Sequence, residues 1–98
     1  MIYVIATLKI QSGSLDEFLE AAKVSIAATR EEEGCIFYDL NQSLTEPDML
    51  TFVERWESRE TLMAHSKAPH MKVWRDKVGH LIEDRKLEII EPAKVDTP

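Results

Sequence analysis

The sequence predicts an α+β domain, with a four-stranded antiparallel sheet and helices on one of its faces. Four segments are rich in β-branched and apolar residues or alternate in polarity, as strands do. Two longer regions between them repeat apolar residues at helical spacing. The resulting order, β-α-β-β-α-β, is that of a ferredoxin-like fold, in which both helices cover the same face of the sheet.

Length and composition fit a single domain. The 98 residues are 44% hydrophobic and 31% charged, as is ordinary for a globular chain. We expect residues 1–92 to form the domain and residues 93–98 to form a polar tail. The net charge of −6 disfavours binding to nucleic acid or an anionic membrane surface, because both require clustered lysine and arginine. The lone Cys35 and the lack of an apolar run of about 20 residues predict a cytoplasmic protein without a membrane span.

The first two elements are predicted to be a strand and a helix. Ile2–Ile10 is rich in β-branched residues, and both of its faces are apolar enough to be covered. Ser14 is expected to cap the helix in a capping box with Glu17. The acidic run 31–33 is interpreted as a solvated helix end, which Gly34 terminates in a left-handed conformation.

Two strands joined by a short turn follow. Cys35–Ser43 and Met49–Trp56 flank Pro47, which cannot donate to a sheet, so they are predicted to pair as an antiparallel hairpin. The strand period of two assigns their side chains to faces. One face of the first strand holds Ile36, Tyr38 and Leu40, the other holds Cys35, Phe37, Asp39 and Asn41, and one face of the second strand holds Leu50, Phe52, Glu54 and Trp56.

The second helical region is predicted to be broken at residues 67–69. Ser58 can cap a short helix that runs to Ser66, and Pro69 suits the first turn of another helix. Lys86–Glu91 is predicted to be the fourth strand. The apolar stripe of the last helix is Met71, Trp74, Val78, Leu81 and Ile82.

The sheet face opposite the helices is predicted to be an interface. Several apolar side chains would lie there without cover, and large exposed apolar areas usually mark a contact with another molecule. We therefore expect a homodimer in which two sheets face each other.

The densest group of reactive and aromatic side chains lies in residues 51–72. His65 lies three residues after Leu62, so it should face the sheet, as a general base or as a buried histidine bonded to a backbone carbonyl. Glu54, between apolar neighbours, could accept a proton or orient His65. The alternative for Glu54 is an ion pair with Arg75 or Lys72.

The remaining candidates are predicted to contact a substrate. Trp56 and Phe52 offer flat apolar surfaces for an aromatic ring, although Trp56 would serve equally as a core residue. His70, at a helix start, is either a contact for an anionic group or a surface residue. The full set of predicted substrate contacts is Trp56, Phe52, His70, Tyr38, Asn41 and Arg75.

No metal site is predicted. His65 and His70 are five residues apart, which is outside the i, i+4 spacing of helical zinc ligands, and no cysteine or aspartate cluster joins them. We also expect no cofactor, and the sequence has no glycine-rich phosphate-binding loop.

The chain resembles the antibiotic biosynthesis monooxygenase domain family, and within it the small bacterial quinol monooxygenases. The resemblance covers roughly residues 2–91. It is carried by Glu32-Glu33-Gly34-Cys35, Tyr38, Glu54-x-Trp56-Glu57-Ser58, His65 and Pro69-His70-Met71-Lys72. It implies a dimeric α+β barrel. Some members of the family oxidise quinols or aromatic polyketides with O₂ and without metal or flavin, whereas others degrade haem or isomerise a phosphorylated signal molecule.

The family's functional residues match this chain unevenly. Trp56 matches the tryptophan of the polyketide-oxidising members, but Phe52 and Leu62 stand where those members have asparagine and tyrosine. The haem-degrading members need an asparagine on the first strand, and this chain has none there. They also need a tryptophan and a histidine, at positions where this chain has His65 and, approximately, Arg75. The resemblance therefore favours the quinol-oxidising and signal-processing branches.

The predicted function is a cofactor-independent monooxygenase for a small, electron-rich aromatic such as a quinol. His65, with Glu54, would remove a phenolic proton, and the resulting anion would pass an electron directly to O₂. Two alternatives stay open at this point. One is an isomerase for a small polar carbonyl compound with His65 as base, and the other is a non-catalytic dimeric binding module.

Overall fold

The predicted order of strands and helices is confirmed by the computed structural model, which describes all residues, Met1–Pro98. The strands are β1 (Ile2–Ile10), β2 (Cys35–Gln42), β3 (Met49–Trp56) and β4 (Ile82–Ile90). The helices are α1 (Leu15–Arg30), α2 (Arg59–Ser66) and α3 (Pro69–Val78), and a 3₁₀ turn over Gly79–Leu81 joins α3 to β4. None of the helices combines the length and the apolarity that crossing a bilayer requires.

The four strands form one antiparallel sheet in the order β2-β3-β1-β4. In this order β1 is central, and Val4 on β1 lies between Glu54 on β3 and Ile89 on β4. On the other side of Glu54, β2 contributes Tyr38. The register therefore places a carboxyl group in the middle of the sheet, on the face that the helices cover.

The core fills the space between this face and the helices. Burying a large apolar side chain contributes about 1.5–3 kcal/mol, so α1 and α3 are held mainly by their apolar stripes. Phe18 of α1 meets Trp74 of α3 edge to face at 5.1 Å between ring centroids, and Trp74 meets Phe52 of β3 at 5.9 Å. The buried apolar residues are Ile2, Val4, Leu8, Ile10, Phe18, Ala22, Tyr38, Leu50, Phe52, Trp56, Leu62, Trp74, Val78 and Leu81.

The predicted capping box at the start of α1 is wrong. Ser14 does precede the helix, but its side chain makes no capping hydrogen bond. The Glu17 carboxylate instead lies 3.6 Å from Nε2 of His80. A capping box does form at α2, where Ser58 and Thr61 exchange side-chain to backbone hydrogen bonds.

The start of the fourth strand was also predicted wrongly. α3 ends at Val78, and β4 begins at Ile82, four residues before the predicted position. Leu81 and Ile82 continue the apolar spacing of α3, but they belong to the 3₁₀ turn and to β4. The apolar spacing continued beyond the end of the helix, because the buried turn and the start of the strand also require apolar residues.

A bulge near the start of β2 changes the predicted faces of two residues. Cys35 pairs with Trp56 and Phe37 pairs with Arg55, so Ile36 is the extra residue. Cys35 therefore packs against the core on the same face as Tyr38, whereas Ile36 is 47% exposed. Strict alternation had assigned both to the opposite faces.

The face of the sheet opposite the helices carries aromatic and aliphatic side chains around one arginine. The Arg55 guanidinium lies 4.7 Å from the ring centroid of Phe37 and 5.6 Å from that of Tyr3. Ile5 and Val53 face each other across β1 and β3 on the same face. Nε of Arg55 is buried without a hydrogen-bond partner, which is costly for a polar group.

The turn between α1 and β2 is fixed by Gly34. Its φ is +82°, a conformation that favours glycine. The side chain of Thr61 on α2 packs so closely against it that a β carbon would collide with Thr61. Backbone bonds reinforce the contact, since the amide of Glu57 donates to the Gly34 carbonyl at 2.9 Å. The end of α1 is thereby held against α2.

Replacing Gly34 with alanine should lower the free energy of unfolding by more than the roughly 1–2 kcal/mol cost of left-handed backbone, because the added methyl also collides with Thr61. Gly13→Ala is the matched control, since Gly13 has a φ of +83° but open space around it. Urea denaturation of both variants gives the two losses. Equal losses would contradict the steric constraint at Gly34.

Candidate active site

A cavity of about 470 Å³ lies between the sheet and helices α2 and α3. This volume lies within the roughly 300–1,000 Å³ range of small-molecule sites. Most of its wall is apolar, from residues of β1, β3, β4 and α3. The predicted site residues that line it are Tyr38, Phe52, Glu54, His65 and Arg75.

The buried His65 pairs with a partly exposed glutamate that was not among the predicted site residues. The last turn of α2 carries His65, which is 5% exposed. Its Nδ1 lies 2.6 Å from Oε2 of Glu32, which follows the end of α1. Nε2 of His65 has no hydrogen-bond partner in the protein. The carboxylate accepts the Nδ1 hydrogen, which leaves the lone pair on Nε2.

The environment of His65 favours its neutral form. Burial lowers the pKa of His65, and the charges of His70 and Arg75 act in the same direction. The hydrogen bond and the negative charge of Glu32 oppose this, but burial is the larger effect. At neutral pH, His65 is therefore an uncharged imidazole whose orientation is set by a carboxylate.

Glu54 lies in the wall of the same cavity and is 5% exposed. Its Oε1 accepts a hydrogen bond from Nε1–H of Trp56 at 2.9 Å. Burial raises the pKa of Glu54 to about 7, the Trp56 hydrogen bond lowers it, and the charge of Glu32 raises it further. The carboxyl group therefore exists in both protonation states near neutral pH.

The ion pair considered for Glu54 does not form. Lys72 pairs with Asp76 at 2.8 Å, on the exposed side of α3. Arg75 donates from Nη1 to the Ser66 carbonyl at 3.3 Å. Glu54 has only a neutral indole as its partner, which is why its raised pKa persists.

Tyr38 connects the aromatic wall to the dyad of Glu32 and His65. Its ring centroid lies 5.4 Å from those of both Phe52 and His65. Burial raises the pKa of Tyr38, and the carboxylates of Glu54 and Glu32 raise it further. Tyr38 therefore keeps its hydroxyl hydrogen and can only donate or accept a hydrogen bond as a neutral phenol.

Three of the predicted substrate contacts do not line the cavity. Trp56 is fully buried behind it, where its ring lies 4.7 Å from that of His65 between centroids. His70 lies on the far side of Glu32, with Nε2 3.1 Å from Oγ1 of Thr29. Asn41 is exposed and pairs with Thr51, so it points to the face opposite the helices.

No cysteine or aspartate cluster joins the two histidines, but Glu32 lies between them. Its Oε2 is 2.6 Å from Nδ1 of His65 and 3.6 Å from Nε2 of His70. Glu32 was interpreted as part of a solvated helix end. The available signal was its position two residues before Gly34, whose turn folds the end of α1 back over α2.

Replacing Glu54 with glutamine should stabilise the protein at high pH. Because the folded-state pKa of Glu54 is raised from 4.5 to about 7, folding takes up protons between these values, and stability falls as pH rises through about 7. At pH 8, the Glu54→Gln variant should exceed the wild type by up to about 3 kcal/mol, at roughly 1.4 kcal/mol for each pKa unit. Urea denaturation at pH 4.5 and pH 8 measures the difference.

The control for this experiment is Glu57→Gln, which removes a carboxylate from an exposed position on the same segment. It should leave the pH dependence of stability unchanged. A stability gain that is the same at both pH values in the Glu54→Gln variant would contradict a raised pKa at Glu54.

Proteins from several organisms resemble the chain over most of its length. The "Probable quinol monooxygenase YgiN" of Escherichia coli (strain K12) is 29% identical over 107 residues, covering 95% of this chain and 99% of that protein. The structure of Rv0793 from Mycobacterium tuberculosis superposes with a TM-score of 0.89 at 28% identity, covering 98% of both chains. A conserved protein from Methanosarcina mazei Go1 gives a TM-score of 0.87 at 29% identity, covering 91% of this chain and 89% of that one.

The residues that carry the family resemblance lie within residues 1–77. The model of the family described as antibiotic biosynthesis monooxygenase matches residues 1–77. This match includes β1 to β3, α1, α2 and most of α3, and therefore the Glu32–His65 dyad and Glu54. The chain belongs to the antibiotic biosynthesis monooxygenase family.

Proposed function

We propose that this protein is a cofactor-independent oxygenase that acts on a small aromatic quinol in the cytoplasm. The observation that carries the proposal is the buried pair of Glu32 and His65 at the wall of an apolar, ring-lined cavity. A neutral imidazole that is oriented by a carboxylate is a general base suited to a phenolic proton. The relative named as a quinol monooxygenase supports the same substrate class.

The proposed reaction begins with proton transfer from a phenolic hydroxyl to Nε2 of His65. Glu32 stabilises the imidazolium, because its carboxylate stays bonded to Nδ1–H. The quinol anion then transfers one electron to O₂, which gives a semiquinone and superoxide. Their recombination and the loss of water convert quinol and O₂ into a hydroxyquinone and water, so the substrate supplies all four electrons.

The cavity wall supports the binding of a flat aromatic substrate. Three aromatic residues line the cavity: Phe52, Tyr38 and Trp74. Their rings can pair favourably with the ring of a substrate. Arg75 lies at the wall as well, and its charge acts on His65. It would therefore also favour a quinol anion. Trp56 acts indirectly, by holding Glu54 and packing against His65.

The His65→Gln variant should consume O₂ with a quinol roughly 100- to 10,000-fold more slowly than the wild type, because general-base catalysis contributes about that much. Glu32→Gln should cause a smaller loss, since an amide oxygen can still accept the Nδ1 hydrogen but carries no charge. An oxygen electrode with a panel of benzo- and naphthohydroquinones in chelator-treated buffer measures both rates.

His80→Ala is the matched control, because His80 is an exposed histidine outside the cavity. It should retain the wild-type rate. Wild-type O₂ uptake no faster than quinol auto-oxidation in buffer would contradict the proposal. So would a rate that is unchanged in the His65→Gln variant.

An isomerase for a small carbonyl compound is a second candidate, favoured by the presence of both Glu54 and His65 in the wall of the cavity. Both line one cavity, and the raised pKa of Glu54 lets it donate a proton near neutral pH. A neutral base and a protonated acid are the two groups that keto–enol transfer requires. Turnover of a carbonyl substrate that is equal with and without O₂ would favour the isomerase over the oxygenase.

We also propose that two copies of the chain pair through the open faces of their sheets. The apolar surface around Arg55 and the buried, unpartnered Nε atom support a contact that supplies an acceptor.

Arg55→Glu should convert a dimer into a monomer, because it places a carboxylate between aromatic rings at the proposed interface. Sedimentation equilibrium at micromolar concentration measures the mass. Arg59→Glu, at an exposed position of α2, is the control and should remain dimeric. A monomeric wild type would contradict the dimer, and a dimeric Arg55→Glu variant would contradict this interface.

A further inference from the structure

Glu32, His65 and His70 bring three metal-ligating groups together. Oε2 of Glu32 lies 2.6 Å from Nδ1 of His65 and 3.6 Å from Nε2 of His70, and all three ligand atoms lie within 4.8 Å of one another. The side chains are 18%, 6% and 24% exposed, respectively. The cluster is therefore mostly shielded from water, but is open on the His70 side.

The backbone explains why two histidines five residues apart can share one partner. α2 ends at Ser66, and α3 begins at Pro69, so the chain changes direction between the histidines. Their ring centroids lie 6.1 Å apart as a result. A single continuous helix would turn these two positions to different faces.

The proposed oxygenase reaction leaves His70 without a role. His70 does not line the cavity, and its polar contacts are with Oγ1 of Thr29 at 3.1 Å and with Glu32. Thr29 donates its own hydroxyl hydrogen to the Ser25 carbonyl at 2.8 Å. Nε2 of His70 is directed at the carboxylate of Glu32, which also contacts His65. This is an arrangement found among metal ligands.

We propose that Glu32, His65 and His70 bind a divalent first-row transition ion, with Zn²⁺ as the representative case. Two imidazoles and one carboxylate form a donor set that zinc and its neighbours accept, with a further position left open. Zinc–ligand bonds are about 2.0–2.2 Å long. To accept an ion, the 2.6 Å distance between Glu32 and His65 must lengthen, and the 3.6 Å distance between Glu32 and His70 must shorten. Each imidazole remains neutral and carries its hydrogen on the other ring nitrogen, and the Thr29 contact is given up.

Metal binding has a consequence for His65, which rests on the proposed function. An ion on Nδ1 leaves the imidazole hydrogen on Nε2, the nitrogen that would accept the phenolic proton. The metal-bound protein would have no general base in the cavity. Zn²⁺ would therefore inhibit O₂ uptake while binding tightly to the folded chain.

Isothermal titration of the chelator-treated full chain with ZnSO₄ should show one ion bound per chain. His70→Ala and Glu32→Gln should each weaken binding by about 100-fold or more, because even changes around the ligands cost roughly 10- to 100-fold. Co²⁺ absorption in the visible range provides a second readout of the donor set. His80→Ala and Cys35→Ser are the controls, and both should bind Zn²⁺ as the wild type does.

The absence of a one-to-one Zn²⁺ isotherm would overturn the metal site, as would equal affinity in the wild type and the His70→Ala variant. Circular dichroism of each variant shows that a lost isotherm comes from a folded chain. Tight Zn²⁺ binding by a protein whose metal-free form oxidises no quinol would support the metal site and contradict the oxygenase. Full O₂ uptake at saturating Zn²⁺ would contradict the inhibition.

Discussion

The buried contact between Glu32 and His65 connects the end of α1 with the last turn of α2. A carboxylate and an imidazole in this position are stable only as partners, because either one buried alone would lose its hydration without compensation. The contact is 2.6 Å long, and it fixes which nitrogen of His65 carries the hydrogen. The acid–base chemistry available to the cavity therefore depends on one side chain outside its wall.

The backbone makes this contact through two local features. Gly34 lets the chain reverse directly after α1, and its missing side chain admits Thr61 of α2. The capping box of Ser58 and Thr61 starts α2 at a defined residue, so His65 falls on its buried side. Thr61 thus packs against Gly34 and also forms the capping box with Ser58. The geometry of the dyad follows from a turn and a helix start, and needs no strained backbone in the site itself.

Hydrophobic periodicity predicted the fold because the strands and the longer helices each bury one regular face. It predicted β1 and β3 to the residue, turned His65 toward the sheet and placed Glu54 on the same strand face as Leu50, Phe52 and Trp56. It failed where periodicity is interrupted: at the bulge of Ile36 and at the turn that leads into β4. Glu32 could not be found this way, because an acidic residue after a helix is usually solvated. Apart from its position two residues before Gly34, only its three-dimensional neighbours distinguish it from Glu31 and Glu33.

Glu32 and Glu54 have different surroundings. Glu32 lies beside two imidazoles that can share its charge. Glu54 has an indole hydrogen bond and apolar surroundings, and the charge of Glu32 raises its pKa further. A neutral His65 can accept a proton, and Glu54, whose pKa is raised to about 7, can donate one. Since His65 and Glu54 line the same cavity, the pair allows proton transfer in both directions. In the proposed reaction, electron transfer to O₂ after the proton transfer depends on how easily the substrate is oxidised.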